Sequence, residues 1–190
     1  MIFNSRASKI AGINDDQFRG IYDVFVPVSY LNHLSEIYTN VTNAMDIPEL
    51  PESEQEIRMN GNISGNNAAL IFPLAGWKAK EWGINNFISL AKKIQNTFKV
   101  SFVMPEGSMR TDVINEICSE GLDVIKTKDV PGMINEIKKC SLVISNDSGP
   151  SHVAELLGKR VITLFGPTNP AVHKKKSDLT VNIMKIIKCS

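Results

Sequence analysis

The 190-residue sequence has no stretch of about 18 consecutive apolar residues, so nothing in it reads as a membrane-spanning helix. The opening segment, MIFNSRASKIAG, lacks the apolar core and cleavage-site pattern of a secretory signal. Neither charge is in excess: the formal net charge is +1, which argues against a broad basic surface for nucleic acid. The only basic run, Lys174-Lys175-Lys176, reads as a solvated loop. The three cysteines, Cys118, Cys140 and Cys189, are odd in number and widely spaced. With no CxxC pair and no Cys/His cluster they indicate neither a disulfide framework nor a zinc site. Cys118 and Cys140 stand among apolar residues and read as small core fillers in a reducing, cytoplasmic setting. No GxGxxG follows the first apolar strand, which argues against a dinucleotide-dependent oxidoreductase. No acidic pair suggests a Mg²⁺ site, and neither an internal repeat nor a low-complexity tract occurs.

What is present is the composition of a soluble globular protein, 43% hydrophobic and 22% charged. The pattern changes near residue 66. Before it, residues 23–31 hold a short apolar stretch broken by Pro27. Residues 33–45 predict a helix with Leu34, Ile37, Tyr38, Val41 and Met45 on one face. The segments IPELPESEQE and NGNISGNN then read as linker and loop. From residue 68 the rhythm is regular. Apolar runs at 68–72, 100–104, 122–125, 142–145 and 161–165 predict strands, and helical stripes fall between them at 85–98, 111–119, 131–139 and 151–157. Strands alternating with helices predict an α/β fold, a parallel sheet covered on both faces, with ligands at the carboxyl ends of its strands.

The richest segment, residues 146–170, reads NDSGPSHVAELLGKRVITLFGPTNP and begins at the carboxyl end of the fourth strand. Asp147 or Ser148 can cap the helix that follows. Pro150 suits its first turn, and Gly149 permits a sharp turn and leaves room for a ligand. Free amides and the helix dipole make this terminus an anion site suited to a diphosphate, although a well-capped helix would show the same local pattern. The loop after the fifth strand, at 165–170, reaches the same edge. Its glycine and prolines make it stiff, and Thr168 and Asn169 can hydrogen-bond a polar ligand. A histidine placed as His152 is can equally be a packing or capping residue.

Residues 71–82, IFPLAGWKAKEW, carry the first strand into a small-residue loop ending in Lys80 and Trp82. An ammonium fixed at that edge can stabilise negative charge developing on a departing phosphate. Lys78 competes with Lys80 for this role, and Trp82 reads as packing.

These two segments resemble glycosyltransferase family 9, which includes the ADP-heptose:lipopolysaccharide heptosyltransferases. The matching elements are Asp147-Ser148-Gly149, His152, Leu157-Gly158, Leu164-Phe165-Gly166-Pro167-Thr168 before Pro170, and Lys80-x-Trp82. Leu74-Ala75-Gly76 departs mildly from the family's loop. The resemblance implies the Rossmann-like C-terminal domain of a GT-B glycosyltransferase at 67–190. Residues 1–66 would then be the end of an acceptor-binding domain plus a linker.

On this resemblance Lys80 and Asp147 are the candidate catalytic residues, Lys80 on the departing phosphate and Asp147 beside the donor sugar. Ser148, Gly149, Pro150, Ser151, His152, Gly166 and Thr168 are the candidate donor-binding residues. The implied donor is a nucleotide-diphosphate sugar such as ADP-heptose, with no metal or other cofactor. The implied acceptor is the lipopolysaccharide core, reached by a cytoplasmic protein peripheral to the inner membrane. Compared with complete family members, the chain begins after the acceptor domain's opening carboxylate and ends before the closing helices. Asp15, Asp16 and Asp23 lie outside that opening loop. It is therefore expected to be mainly a donor-binding half that does not transfer sugar alone. The alternatives are another nucleotide sugar, or a non-catalytic nucleotide-binding module or remnant.

Overall fold

A computed structural model describes residues 7–13, 20–27, 33–48, 67–174 and 177–184. The chain divides into two compact units, one of residues 1–56 with 171–175 and the other of residues 57–170 with 176–190.

In the first unit, β1 (Ala11–Ile13) pairs in parallel with β2 (Val24–Val26), and α1 (Leu34–Ala44) packs on them. His33 caps α1 by accepting from Ser35 N–H at 3.1 Å. The helix is the one its apolar stripe predicts, but Tyr38 on that stripe is 59% exposed and only Ile37 is buried. The strand β1 was not foreseen, since three residues are too few for periodicity to show. Lys174, just beyond the short helix α6 (Pro170–His173), is buried and not solvated, contrary to the expectation for the lysine run. Nothing in three equal lysines marks which aliphatic stem packs inward.

The second unit carries a six-stranded sheet in the order β5-β4-β3-β6-β7-β8, every neighbouring pair parallel. Its strands are β3 (Ala68–Phe72), β4 (Lys99–Pro105), β5 (Asp123–Thr127), β6 (Leu142–Asn146), β7 (Arg160–Phe165) and β8 (Thr180–Met184). The intervening helices are α2 (Ile84–Ile94), α3 (Thr111–Ser119), α4 (Val130–Lys139) and α5 (Gly149–Leu156). Alternate strand residues feed two cores. Ala69, Ile71, Phe102 and Met104 pack with Phe87 and Ala91 of α2 and Val113 and Ile117 of α3. Leu70, Phe72, Val103 and Val143 pack with Ile137 of α4 and Ala154 of α5. This is the expected α/β sheet with helices on both faces, and it explains why the strands are continuous apolar runs. The edge strand β8 was not foreseen: its residues are mostly exposed, so no apolar run betrays it.

Counting strands from β3, the order is 3-2-1-4-5-6, that of a doubly wound nucleotide-binding sheet. Successive connections run outward from β3 on one side and from β6 on the other. The sheet therefore opens a crevice at the carboxyl ends of these two neighbours. Local signals hold the elements in place. Asp129 caps α4 through Gly132 N–H at 2.8 Å. At the other end of α4, the fully buried Lys159 donates to Lys138 O at 2.8 Å, a cation on the helix's negative terminus. Cys140 is buried in the core as expected, whereas Cys118 is exposed. Cys118 follows the buried Ile117 on α3 and so points off its apolar face. Cys189 lies outside the described residues.

Candidate functional site

The crevice brings together the two segments that the sequence singles out. After Pro73 the chain passes through a loop and a 3₁₀ turn (Lys78–Lys80) before entering α2. After Asn146 it turns through Asp147 and Ser148 into α5. Asn146 stitches the two. Fully buried, its side-chain amide donates to Pro73 O at 2.7 Å and its oxygen accepts from Trp82 N–H at 3.0 Å. Both ends of the loop bearing Lys80 are thereby tied to the end of β6.

Asp147 is the centre of the arrangement and is 3% exposed. Its backbone N–H donates to Leu164 O at 3.0 Å, which fixes the carboxylate beside β7. Lys80 Nζ lies 2.5 Å from Asp147 Oδ2, and Thr168 Oγ1 donates to the same oxygen at 2.7 Å. His152 Nε2 stands 3.9 Å from Asp147 Oδ1, with its Nδ1 4.0 Å from Glu155 Oε2. Lys80 Nζ also sits 5.6 Å from the ring centroid of Trp77, within cation–π range. Of the two lysines that competed in the sequence, Lys80 is thus the one at the carboxylate. Trp82 does pack, edge-on to Phe87 at 5.1 Å between centroids, but it is 43% exposed.

The start of α5 differs from its expected form. Ser148 occupies the N-cap position yet makes no side-chain cap bond. Its hydroxyl instead donates to Asn146 O at 3.2 Å and meets Ser145 Oγ at 3.1 Å. Asp147 is engaged by Lys80 and Thr168. The Ser148 side chain therefore does not cap the helix, whose first-turn amides suit an anion. Ser151, fully buried, bonds its hydroxyl back to Ser148 O at 2.8 Å, a structural contact within the turn. Gly149 lies outside the left-handed region, so the turn itself does not demand glycine. A Cβ there would meet nothing within 4 Å, so its surroundings are open. The glycine that packing demands is Gly166, where a Cβ would stand 2.7 Å from Ala79 O and 3.4 Å from Lys80 Cα.

Beside α5's start lies a cleft of about 470 Å³ whose lining includes Leu74, Met104, Val130, Met133, Gly149 and Pro150. It is mainly apolar and has the size of a small-molecule site. Met104, Val130 and Met133 were not singled out from sequence, and Leu74 was noted only as part of a loop that departs from the family's pattern. A smaller cavity of about 180 Å³ lies by Lys80, Trp82, Asn146 and Gly166. A third, about 480 Å³, opens among Asn67, Lys99 and Cys140 near the opposite strand ends and holds none of the candidate residues. Among the described residues no group of three or more His, Cys, Asp and Glu side chains is placed to hold a metal. No described helix is long and apolar enough to cross a membrane. In the first unit, Asp23 Oδ2 accepts from Ile10 N–H at 2.7 Å, a structural contact between β1 and β2. Asp15 and Asp16 lie outside the described residues.

Strand order and switch-point crevice define a Rossmann-like α/β domain. The sequence pattern of "Glycosyltransferase family 9 (heptosyltransferase)" matches residues 28–190, and the chain belongs to that family. Among curated proteins no sequence matches it significantly. Its fold is similar to that of a family 9 glycosyltransferase from Veillonella parvula (TM-score 0.66, 20% identity, 95% of this chain and 57% of that one). It is also similar to E. coli ADP-heptose LPS heptosyltransferase II (0.67, 20%, 96% and 63%). E. coli heptosyltransferase WaaC with ADP is a third (0.61, 16%, 86% and 53%). At these identities the likeness is one of fold, that of the GT-B heptosyltransferases. The chain spans less than two thirds of the length of each.

Proposed function

We propose that this chain is the donor-binding part of a heptosyltransferase-like enzyme, taking a nucleotide-diphosphate sugar into the crevice between β3 and β6. The observation that carries the proposal is the convergence of Lys80, Thr168 and His152 on Asp147 beside the start of α5. The apolar cleft suits the nucleoside. The backbone around Ser148, Gly149, Pro150, Ser151 and His152 suits the diphosphate, and Gly166, against the Lys80 turn, and Thr168, on Asp147, are assigned to the donor as well. Lys80 is the group able to stabilise charge on the departing phosphate, so no metal or other cofactor is invoked. Asp147 lies on the donor side and orients the donor. The similar E. coli structures are named for ADP-heptose and for ADP, which supports an ADP-linked heptose as donor. The LPS in the name of the first of these supports the lipopolysaccharide core as acceptor, and the reading places the chain as a cytoplasmic protein meeting that acceptor at the inner-membrane surface. The base that deprotonates the acceptor hydroxyl would come from an acceptor-binding domain facing the cleft.

The test is binding. Calorimetry with ADP, UDP and GDP should show saturable affinity for at least one. Gly149→Val should weaken that affinity at least tenfold while leaving the thermal unfolding temperature nearly unchanged, because the added side chain meets open space in the empty protein. Unchanged affinity in the folded variant would refute the placement of the diphosphate.

A further inference from the structure

The site holds an arrangement that donor binding alone does not explain. The lysine proposed for phosphate is paired with an almost wholly buried carboxylate, Asp147. That carboxylate is not free to swing away, since its backbone is tied to Leu164 O and Thr168 bonds the same oxygen that Lys80 does. Any phosphate that reaches Lys80 must therefore come close to a fixed negative charge. Lys80 can turn toward it without losing every contact, because the Trp77 ring gives the ammonium a second, uncharged neighbour.

From this geometry we infer that Asp147 is a specificity-determining charge. It disfavours the free nucleoside diphosphate relative to its sugar ester and so promotes product release. The inference rests on the proposed diphosphate site. A sugar ester of a nucleoside diphosphate carries two negative charges, one on each phosphate. Transfer joins the sugar carbon to an acceptor hydroxyl oxygen, whose proton goes to a base, and breaks the bond from that carbon to the terminal phosphate oxygen. The electron pair stays on that oxygen, and the phosphate becomes a terminal group whose second ionisation lies near pH 6, so it gains most of a further charge at neutral pH. Repulsion from a fixed carboxylate grows with ligand charge, and in a partly buried site it is only weakly screened. The same Asp147 that tolerates the donor thus opposes the product more strongly.

The experiment measures Kd for ADP and ADP-glucose, and in parallel for UDP and UDP-glucose, on the full chain and on Asp147→Asn, Asp147→Ser and Asp147→Glu, with thermal unfolding to establish folding. For the pair that binds, the ratio of Kd for the free diphosphate to Kd for its sugar ester should fall at least fivefold in a folded neutral variant, Asn or Ser. It should stay near the wild-type value in Asp147→Glu. A ratio unchanged within twofold in the neutral variants, or a rise, overturns the inference while leaving the diphosphate site standing. An equal fall in Asp147→Glu also overturns it, since geometry and not charge would then be responsible. If neither pair binds to folded wild type, the proposed function itself fails and the inference falls with it.

Discussion

Gly166→Ala isolates how packing, and not local conformation, sets the position of Lys80. Gly166 follows β7 and is not in the left-handed region, so alanine brings no backbone strain there. The added Cβ would, however, stand 2.7 Å from Ala79 O and 3.4 Å from Lys80 Cα, both backbone atoms. A carbon–oxygen contact needs a little over 3 Å, so the 3₁₀ turn or the 165–168 loop must retreat by about half an ångström. No flexible side-chain end can give way in their place. The turn is held by Lys80 N–H on Trp77 O, by Asn146 on Trp82 N–H and by the Lys80–Asp147 pair, so moving it strains several contacts together.

Overpacking of this kind costs roughly 1–3 kcal/mol. We expect about 1–2 kcal/mol by urea denaturation, because the turn lies near the surface. The larger effect should be functional. Misplacing a phosphate-binding ammonium by a fraction of an ångström should weaken nucleoside diphosphate binding about tenfold, and should lower turnover by at least that much in a complete homologous enzyme carrying the motif. Gly20→Ala, with nothing within 4 Å of its Cβ and away from the cleft that Gly76 lines, is the control and should be neutral in both assays. Stability within about 0.5 kcal/mol and affinity within twofold for Gly166→Ala would refute the reasoning. They would show that the turn yields freely and that close approach does not set Lys80.

Asn146→Ala should cost about 2–3 kcal/mol in urea denaturation, because it leaves the carbonyl of the buried Pro73 without its partner while Trp82 N–H, nearer the surface, can find water. A loss below about 1 kcal/mol would show that the clamp contributes little. The Cys140 thiol is pushed up from its ordinary value of 9.0 to about 11 by burial, with the Lys159 charge pulling it partly back. Folded Cys140 holds its proton where the unfolded thiol would lose it. Its contribution to stability is therefore fully present below pH 9 and is lost between about pH 9 and 11, a slope that Cys140→Ala should lack. At pH 8, maleimide should label the exposed Cys118 and spare Cys140.

The sequence by itself determined the strands and helices of the second unit between residues 68 and 165 and their order along the chain. The strands at 68–72, 142–145 and 161–165 and the helix at 111–119 are found within a residue of where their apolar runs place them. Burial on both faces leaves a run with no polar interruption, and that is visible in one dimension. The loops at 73–82 and 146–152 were also legible as chemistry, because lysine, aspartate, histidine and glycine at strand ends rarely serve a core. Only the tertiary structure decided that these loops meet.

Lys80 and Asp147 are 67 residues apart, and they pair because β6 returns to lie beside β3 and not beyond β5. Periodicity reports which face a residue turns to, but it says nothing about which strand becomes its neighbour. For the same reason the sequence marked Gly149 and Gly166 alike, although only at Gly166 does packing exclude a Cβ, and it offered Ser148 as a cap although its hydroxyl bonds Asn146 O instead. It gave no role to Asn146, Met104 and Met133, whose roles exist only once segments from three or more strands share one crevice.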